Sequence, residues 1–488
     1  MLLAIRVTLS LLTIWLFARC EQPDVIPDVI VQRQDTMTIA SLRAYRSNTL
    51  PSSILITDAG RAGVFTLVPG GSAADNMGTV LVTSTGKRYQ REYTGPASAY
   101  WFGVEPSDTD IGPELQLAVN AANEVVIPKG NYTQLTTVRL RSGMSLKAQP
   151  GSVLITLPKT YVSLANAIDP SIFLRDVLIE GLSWNVTSQE RGTFGTIYID
   201  GPSVANLTVR QCSSTDEMAK DSTNWLTLKI PAGKTAETIV VQNNSVRAKR
   251  MGCEIFNHDN HSIYAGKRIN VSNNFFHDCH FGISISGTLE GITVASNLVK
   301  DCSLFGIEIA GAARSVALVD NQFEGQFDKF LEGSNDGDGN GSVIGGMLIS
   351  GNRTVGKCQG GVQLFNAGAV NFTKNNFNMS GILEIGHSTK GGMFTENILE
   401  TSAEKAVICD NSPNNTFNSN RISNETSRAN QATFMAYGSS STGNILINNK
   451  LVKGLGGKYY EGVQGGQINA SANFDGLGNI LQSGVALD

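Results

Sequence analysis

The chain has 488 residues, 51 of them glycine, with 16% charged residues and a formal net charge of −4. That length can bury a large core and leaves room for two or three domains. Low charge with abundant glycine, asparagine, serine and threonine suits short strands and tight turns rather than long helices. No basic field marks the chain as a partner of nucleic acid or of an anionic membrane.

Residues 1–19, MLLAIRVTLSLLTIWLFAR, place Arg6 ahead of a short apolar run and read as a secretory signal. Such a signal makes the mature protein secreted, periplasmic or surface-displayed. Leu16-Phe17-Ala18-Arg19-Cys20 resembles a degraded lipoprotein signal, so a lipid anchor at Cys20 stands beside ordinary cleavage nearby. Six cysteines remain, at 212, 253, 279, 302, 358 and 409; their spacing matches no zinc pattern and fits buried thiols. Residues 20–36 contain PDVIPDVI and read as a linker. Residues 37–105 hold short apolar runs between glycine-rich turns, a small β head domain. Asp110 to Asn123 is the clearest helix: Asp110 can cap it, Pro113 lies in its first turn, and Leu115, Ala118, Val119 and Ala122 share one face. Val125-Val-Ile-Pro-Lys-Gly-Asn-Tyr follows as a first strand and turn.

A repeat then dominates, and a repeat takes precedence over any other reading of fold. VQNNSV, VSNNFF, VASNLV, LVDNQF, ISGNRT, FTKNNF, FTENIL, FNSNRI and LINNKL put Asn244, Asn274, Asn297, Asn321, Asn352, Asn375, Asn397, Asn420 and Asn449 in one slot. Leu182 and Cys212 occupy it in degenerate upstream copies. The shortest steps, 22 to 24 residues, suit one coil of a three-strand solenoid whose coils stack about 4.8 Å apart. An asparagine at the same turn of every coil can bond its amide to the next and tolerates the tight turn. The fold expected is all-β: a right-handed parallel β-helix over residues 106–455 with an N-terminal capping helix, the small head domain, and a C-terminal cap or tail over 456–488.

Three segments carry a family resemblance: Ile39-Ala-Ser-Leu-Arg-Ala, Thr79-Val-Leu-Val and Tyr100-Trp-Phe-Gly-Val. They are similar to the head that precedes many phage tailspike-like and pectate-lyase-superfamily β-helices. Leu115–Ala122 and Val126-Ile-Pro-Lys-Gly-Asn-Tyr look like that group's helix cap and first coil. The sequence departs at Val104-Glu-Pro-Ser-Asp-Thr-Asp, where the group often has GDGVTDDT. The resemblance implies a wall that binds or cleaves a polysaccharide, and relatives that are often homotrimers, although 456–488 shows no trimerisation element.

Function concentrates where loops leave a rigid scaffold. Two long steps, 244 to 274 and 321 to 352, are expected to leave the same strand of their coils and to flank a cleft. In Gly252-Cys-Glu-Ile-Phe, Gly282-Ile-Ser-Ile-Ser and Gly306-Ile-Glu-Ile-Ala, strand alternation turns the isoleucines inward and stacks Glu254, Ser284 and Glu308 outward. Gln363 and Glu384 continue this file, and Glu332 joins it if its register holds. Glu254 and Glu308, two rungs apart, suit inverting hydrolysis; Glu308 and Glu332 on adjacent coils approach retaining geometry. Plain solvated glutamates are the alternative. Four of the five histidines, His258, His261, His277 and His280, fall within 23 residues. A uronate lyase needs a cation and a base. His258, His261 and Tyr264, with Arg247, Lys267 or Arg268, offer both, and Arg247, His277 and Lys300 stack as a basic file. Against this stand turn residues that merely cap coil edges. His387 reads as structural or as a sugar contact. No cofactor is required, yet Asp336, Asp338 and Asn340 alternate like the ligands of a calcium loop, without its closing glutamate; a polar loop is the alternative. Phe256, Phe281, Phe305 and Phe365 can stack on sugars, although inward ladders are the expectation for most of them. A hydrolase of a polysaccharide is the leading reading. A lyase, a uronate epimerase and a non-catalytic glycan-binding spike or adhesin are its rivals.

Overall fold

The computed structural model describes residues 35–486 apart from 48, 50, 170, 191, 193, 218–222, 258–263, 336–343 and 425–431. The leader, the linker to residue 34, Cys20, His258, His261, Asp336, Asp338 and Asn340 lie outside the described residues.

From residue 97 onward the chain winds as a parallel β-solenoid, and each full coil contributes one strand to each of three sheets. In the coil that starts at Asn244, Ser245–Arg247 lies in sheet 1, Met251–Asn257 in sheet 2 and Gly266–Ser272 in sheet 3. Sheets 1 and 2 each have 13 strands. Each strand pairs in register with the equivalent strand of the next coil, as in Cys253↔Ile283↔Ile307. Alternating residues point into a continuous apolar core, where these isoleucines are fully buried.

The asparagine turn sets the register. Asn274 Nδ2 donates to Asn297 Oδ1 (2.9 Å) and to the Val241 carbonyl below (2.9 Å), and the Asn274 N–H donates to the same Asn297 Oδ1 (2.9 Å). The pattern runs from Asn244 to Asn449 and continues to Asn473, which accepts from the Asn449 side chain at 3.0 Å. The residue ahead of each is left-handed, as at Asn273 (φ 56°), Asp320 (φ 55°) and Lys374 (φ 57°). A turn that tight, buried on its inner side, needs every amide matched. A second file lies where the chain enters sheet 2: a Cβ on Gly282 would sit 2.5 Å from the Gly306 carbonyl of the next coil. Glycine at 252, 282 and 306 therefore permits the close stacking.

Five strands between Asp35 and Arg91 form a separate sheet on its own core of Ile39, Leu42, Ile54, Ile56, Phe65, Leu81 and Tyr89. Arg91 joins it to the solenoid. Its guanidinium lies over Phe65 (4.6 Å) and Trp101 (4.4 Å) and donates to the carbonyls of Arg61, Ala62 and Gly78. Strand Ala97–Ser98 already pairs with Glu124–Val126, and Phe102 and Val104 belong to the solenoid core. Helix Gly112–Ala121 packs Leu115, Ala118 and Val119 into that core. Asp110 is one residue too early to be the N-cap, which is Ile111. Its carboxylate accepts instead from the N–H groups of Gly112, Leu135 and Thr136, tying the helix start to the first coil. At the other end Lys458–Val463 and Ile468–Ser471 stack as further strands, and Gly484–Ala486 runs antiparallel to the latter. All six cysteines of the described chain are buried and free.

Candidate functional site on sheet 2

The outward residues of sheet 2 make one continuous file. Register runs Arg139, Ala165, Tyr198, Thr227, Glu254, Ser284, Glu308, Glu332, Gln363, Glu384. Glu254 and Glu308 therefore stand two rungs apart, roughly 9.6 Å along the backbone, and Glu308 and Glu332 one rung, about 4.8 Å. Glu332 is only 8% exposed, so it lies sunk in the wall.

The carboxylates differ in surroundings. Glu254 accepts from Asn224 Nδ2 (2.7 Å) and Thr227 Oγ1 (3.0 Å), both on the coil below. Glu308 accepts from Ser284 Oγ on its own lower neighbour. Both side chains lean toward the N-terminal end, which preserves their two-rung separation. Burial raises both pKa values above the ordinary carboxylate range. The hydrogen bonds and the cations Arg250 and Lys229 partly offset this at Glu254, whereas the charge of Glu254 adds to it at Glu308. Glu384 is also raised by burial, with Lys329 opposing.

Aromatic rings flank the file. Phe281 and Phe305 stack edge to face (5.4 Å) on its sheet 1 side. Phe256 lies two residues beyond Glu254, near Lys229 Nζ (5.6 Å), and His387 lies flat on Phe365 (4.3 Å between centroids). For Phe256 and Phe365 the outward phase departs from the inward orientation expected of most of these rings. Sheet 2 alternation puts Phe256 and Phe365 in phase with the outward glutamates, and the interior ring stack is built from others, among them Phe372, Phe394, Phe417 and Phe434.

Arg247, His277, His280, Lys300, Lys267 and Arg268 do not share this face. Arg247, His277 and Lys300 do stack in register, but on sheet 1. There Arg247 and His277 contact Asp278 (3.2 and 3.3 Å), and Lys300 contacts Glu324 (2.5 Å). His280 sits at the corner between sheets 1 and 2, its Nδ1 2.8 Å from Ser303 Oγ. Beside it Asp278, Asp301, Ser303, Gln326, Phe327 and Gln359 line a cavity of about 420 Å³. Lys267 and Arg268 lie on sheet 3, Arg268 against Glu237 (2.5 Å), and Tyr264 packs under the Arg314 guanidinium (3.7 Å). A single site built from Glu254, Tyr264, Lys267 and Arg247 is therefore excluded, because the coil turns two corners between them. The segments 258–263 and 336–343 both follow sheet 2 strands, as the step lengths imply. Among the described residues no group of three or more His, Cys, Asp or Glu side chains is arranged to hold a metal ion.

Sequence reasoning missed the lower end of the file. Arg139, Tyr161, Ala165, Phe194 and Tyr198 border a cleft of about 340 Å³. Tyr198 alternates with Ile197 and Ile199, the one signal available, but these coils precede the first ladder asparagine and their register could not be counted.

The fold is a parallel β-helix with a small separate N-terminal sheet. Among solved structures it is similar to the tailspike protein of Acinetobacter baumannii phage AM24, at 16% identity and a TM-score of 0.52, over 73% of this chain and 65% of that one. The chain thus spans about two thirds of that tailspike's length. It is also similar to the A-module of a mannuronan C-5 epimerase of Azotobacter vinelandii (12% identity, TM-score 0.46, 78% and 98% of the chains). A third is a surface protein and adhesin of Streptococcus pneumoniae (11%, TM-score 0.41, 76% and 100%). No family model and no curated protein matches the chain.

Proposed function

We propose that this protein is a polysaccharide-cleaving β-helix that works by inverting hydrolysis, with Glu308 as the acid and Glu254 as the base. The supporting observation is the two-rung separation of these carboxylates on one rigid sheet. It leaves room between them for a glycosidic bond and a water, as inversion demands at a carboxyl separation of about 6.5–9.5 Å. Glu308 has one hydrogen-bond donor and a neighbouring negative charge, so it keeps its proton longer and delivers it to the leaving oxygen. Glu254 has two donors and nearby cations, so it ionises first. It takes a proton from water as that water's oxygen bonds the anomeric carbon and the C–O bond breaks on the opposite face.

Arg247, His277 and Lys300 lie on sheet 1 against acidic partners, away from the glutamates, so they do not supply there the cation and base that a lyase brings together at the uronate. Export by the leader of residues 1–19 belongs to the same proposal. The test is Glu308→Gln and Glu254→Gln, each assayed for new reducing ends on a panel of polysaccharides. Each is expected to lower turnover by roughly 10²–10⁴-fold with an unchanged circular-dichroism spectrum. Full activity in both, or products absorbing as unsaturated uronates, overturns the reading.

A further inference from the structure

The cleft at the lower end of sheet 2 is built unlike a plain surface depression. Phe194 is 45% exposed in a chain with ample interior, yet its ring is held in place. It lies 4.6 Å from Tyr198 and 6.3 Å, nearly parallel, from Tyr161, with Lys229 Nζ 5.9 Å from its centroid. Tyr198 is fixed in turn by its hydroxyl, which donates to Asp200 (2.6 Å). An exposed ring braced by the buried Tyr161 and the partly buried Tyr198 over a concave floor, with a few convergent polar groups, is what an apolar sugar face needs. Arg139 and Lys229 supply donors for hydroxyls at the rim. Ala165, between Arg139 and Tyr198 in the file, keeps the floor low.

Register makes the cleft continuous with the carboxylates: Tyr198 is two rungs below Glu254. A chain lying along the solenoid axis would reach both. The file also bears on what that chain is. Over six successive rungs it presents Glu254, Glu308, Glu332 and Glu384 with no cation in the file itself, Lys229, Arg250 and Lys329 lying beside it. A polyanion laid along the file meets carboxylates at close spacing.

We propose that the Tyr161–Phe194–Tyr198 cleft is a distal subsite that holds one pyranose of a neutral polysaccharide threaded along sheet 2. This rests on the hydrolytic reading for the direction of the chain, and the cleft and the carboxylates are tested separately. Binding of cello-, malto-, manno- and N-acetylchitohexaose and of hexagalacturonate to the full chain is measured by calorimetry, using wild type, Phe194→Ala and Glu308→Gln. At least one neutral hexasaccharide is expected to bind, about tenfold more weakly to Phe194→Ala. No binding by any neutral hexasaccharide, preference for hexagalacturonate, or unchanged affinity in Phe194→Ala overturns the inference. An inactive Glu308→Gln beside unchanged binding in Phe194→Ala removes the cleft alone. A fully active Glu308→Gln beside weakened binding in Phe194→Ala removes the carboxylate roles alone.

Discussion

Lys249 is a charged side chain shut away from solvent. It is fully buried at the corner between sheets 1 and 2, with Nζ 3.7 Å from Asp216 Oδ2, 3.2 Å from Thr223 Oγ1 and 3.4 Å from Thr196 Oγ1. Burial pushes its pKa down to about 8, with Asp216 opposing. Between about pH 8 and the unfolded value near 10.5 the unfolded chain binds the extra proton, so this group makes stability rise with pH across that window. Lys249→Met should abolish that rise in chemical denaturation at pH 7.5 and 10. At neutral pH it should also cost about 3–5 kcal/mol, because Asp216 is left buried without its cation. The double change Lys249→Met and Asp216→Leu should recover most of the loss. Glu308 acts with the opposite sign. Its folded pKa is raised, so between the ordinary carboxylate value and the raised one the folded state holds the extra proton and stability falls as pH climbs. Glu308→Gln should remove that fall, and thermal midpoints from pH 4 to 7 should stay flatter than in wild type. Neither environment was legible in the sequence. Glu308 could be placed on a strand by alternation, but burial of a lysine at a coil corner depends on which coils abut, and the upstream coils lack the asparagine that would count them.

At the scale of elements, the asparagine turn carries the register. Asn321 is fully buried, donates through Nδ2 to Asn352 Oδ1 (3.0 Å) and to the Val294 carbonyl (2.8 Å), and accepts at Oδ1 from Asn297. Asn321→Ala should cost about 1–3 kcal/mol, since partners on both neighbouring coils are left unmatched; urea denaturation measures it. This element was the most legible part of the chain, because nine asparagines share one slot. Asn473 fits the same slot in INASANF, but it lies past the last well-formed repeat and the expected coil region was ended before it. The glutamate file was legible for the same reason: once the turn is fixed, a period of two assigns each side chain a side. The basic file was legible as a stack but not as a face. Spacing shows that Arg247, His277 and Lys300 align, and it says nothing of the corner that turns them away from Glu254.

For the molecule as a whole, stacking turns separations of 24 to 31 residues along the chain into neighbouring rungs. Coil length varies, and 258–263 and 336–343 both follow sheet 2 strands in the longer coils. The two ends, by contrast, face a general hazard of open parallel sheets, whose last strand offers unpaired amides to any other chain. At the upper end Gly484–Ala486 pairs antiparallel with Ile468–Ser471, and the chain has already doubled back through Asp475, which accepts from the N–H groups of Leu477 and Asn479. Reversing direction there breaks the polarity that every earlier coil shares. In that sheet a second molecule arriving with its strands parallel would find the last described rung occupied by one running the wrong way. The reversal thus disfavours end-to-end pairing of this one sheet. Removing residues 473–488 should raise self-association in sedimentation above that of the full chain.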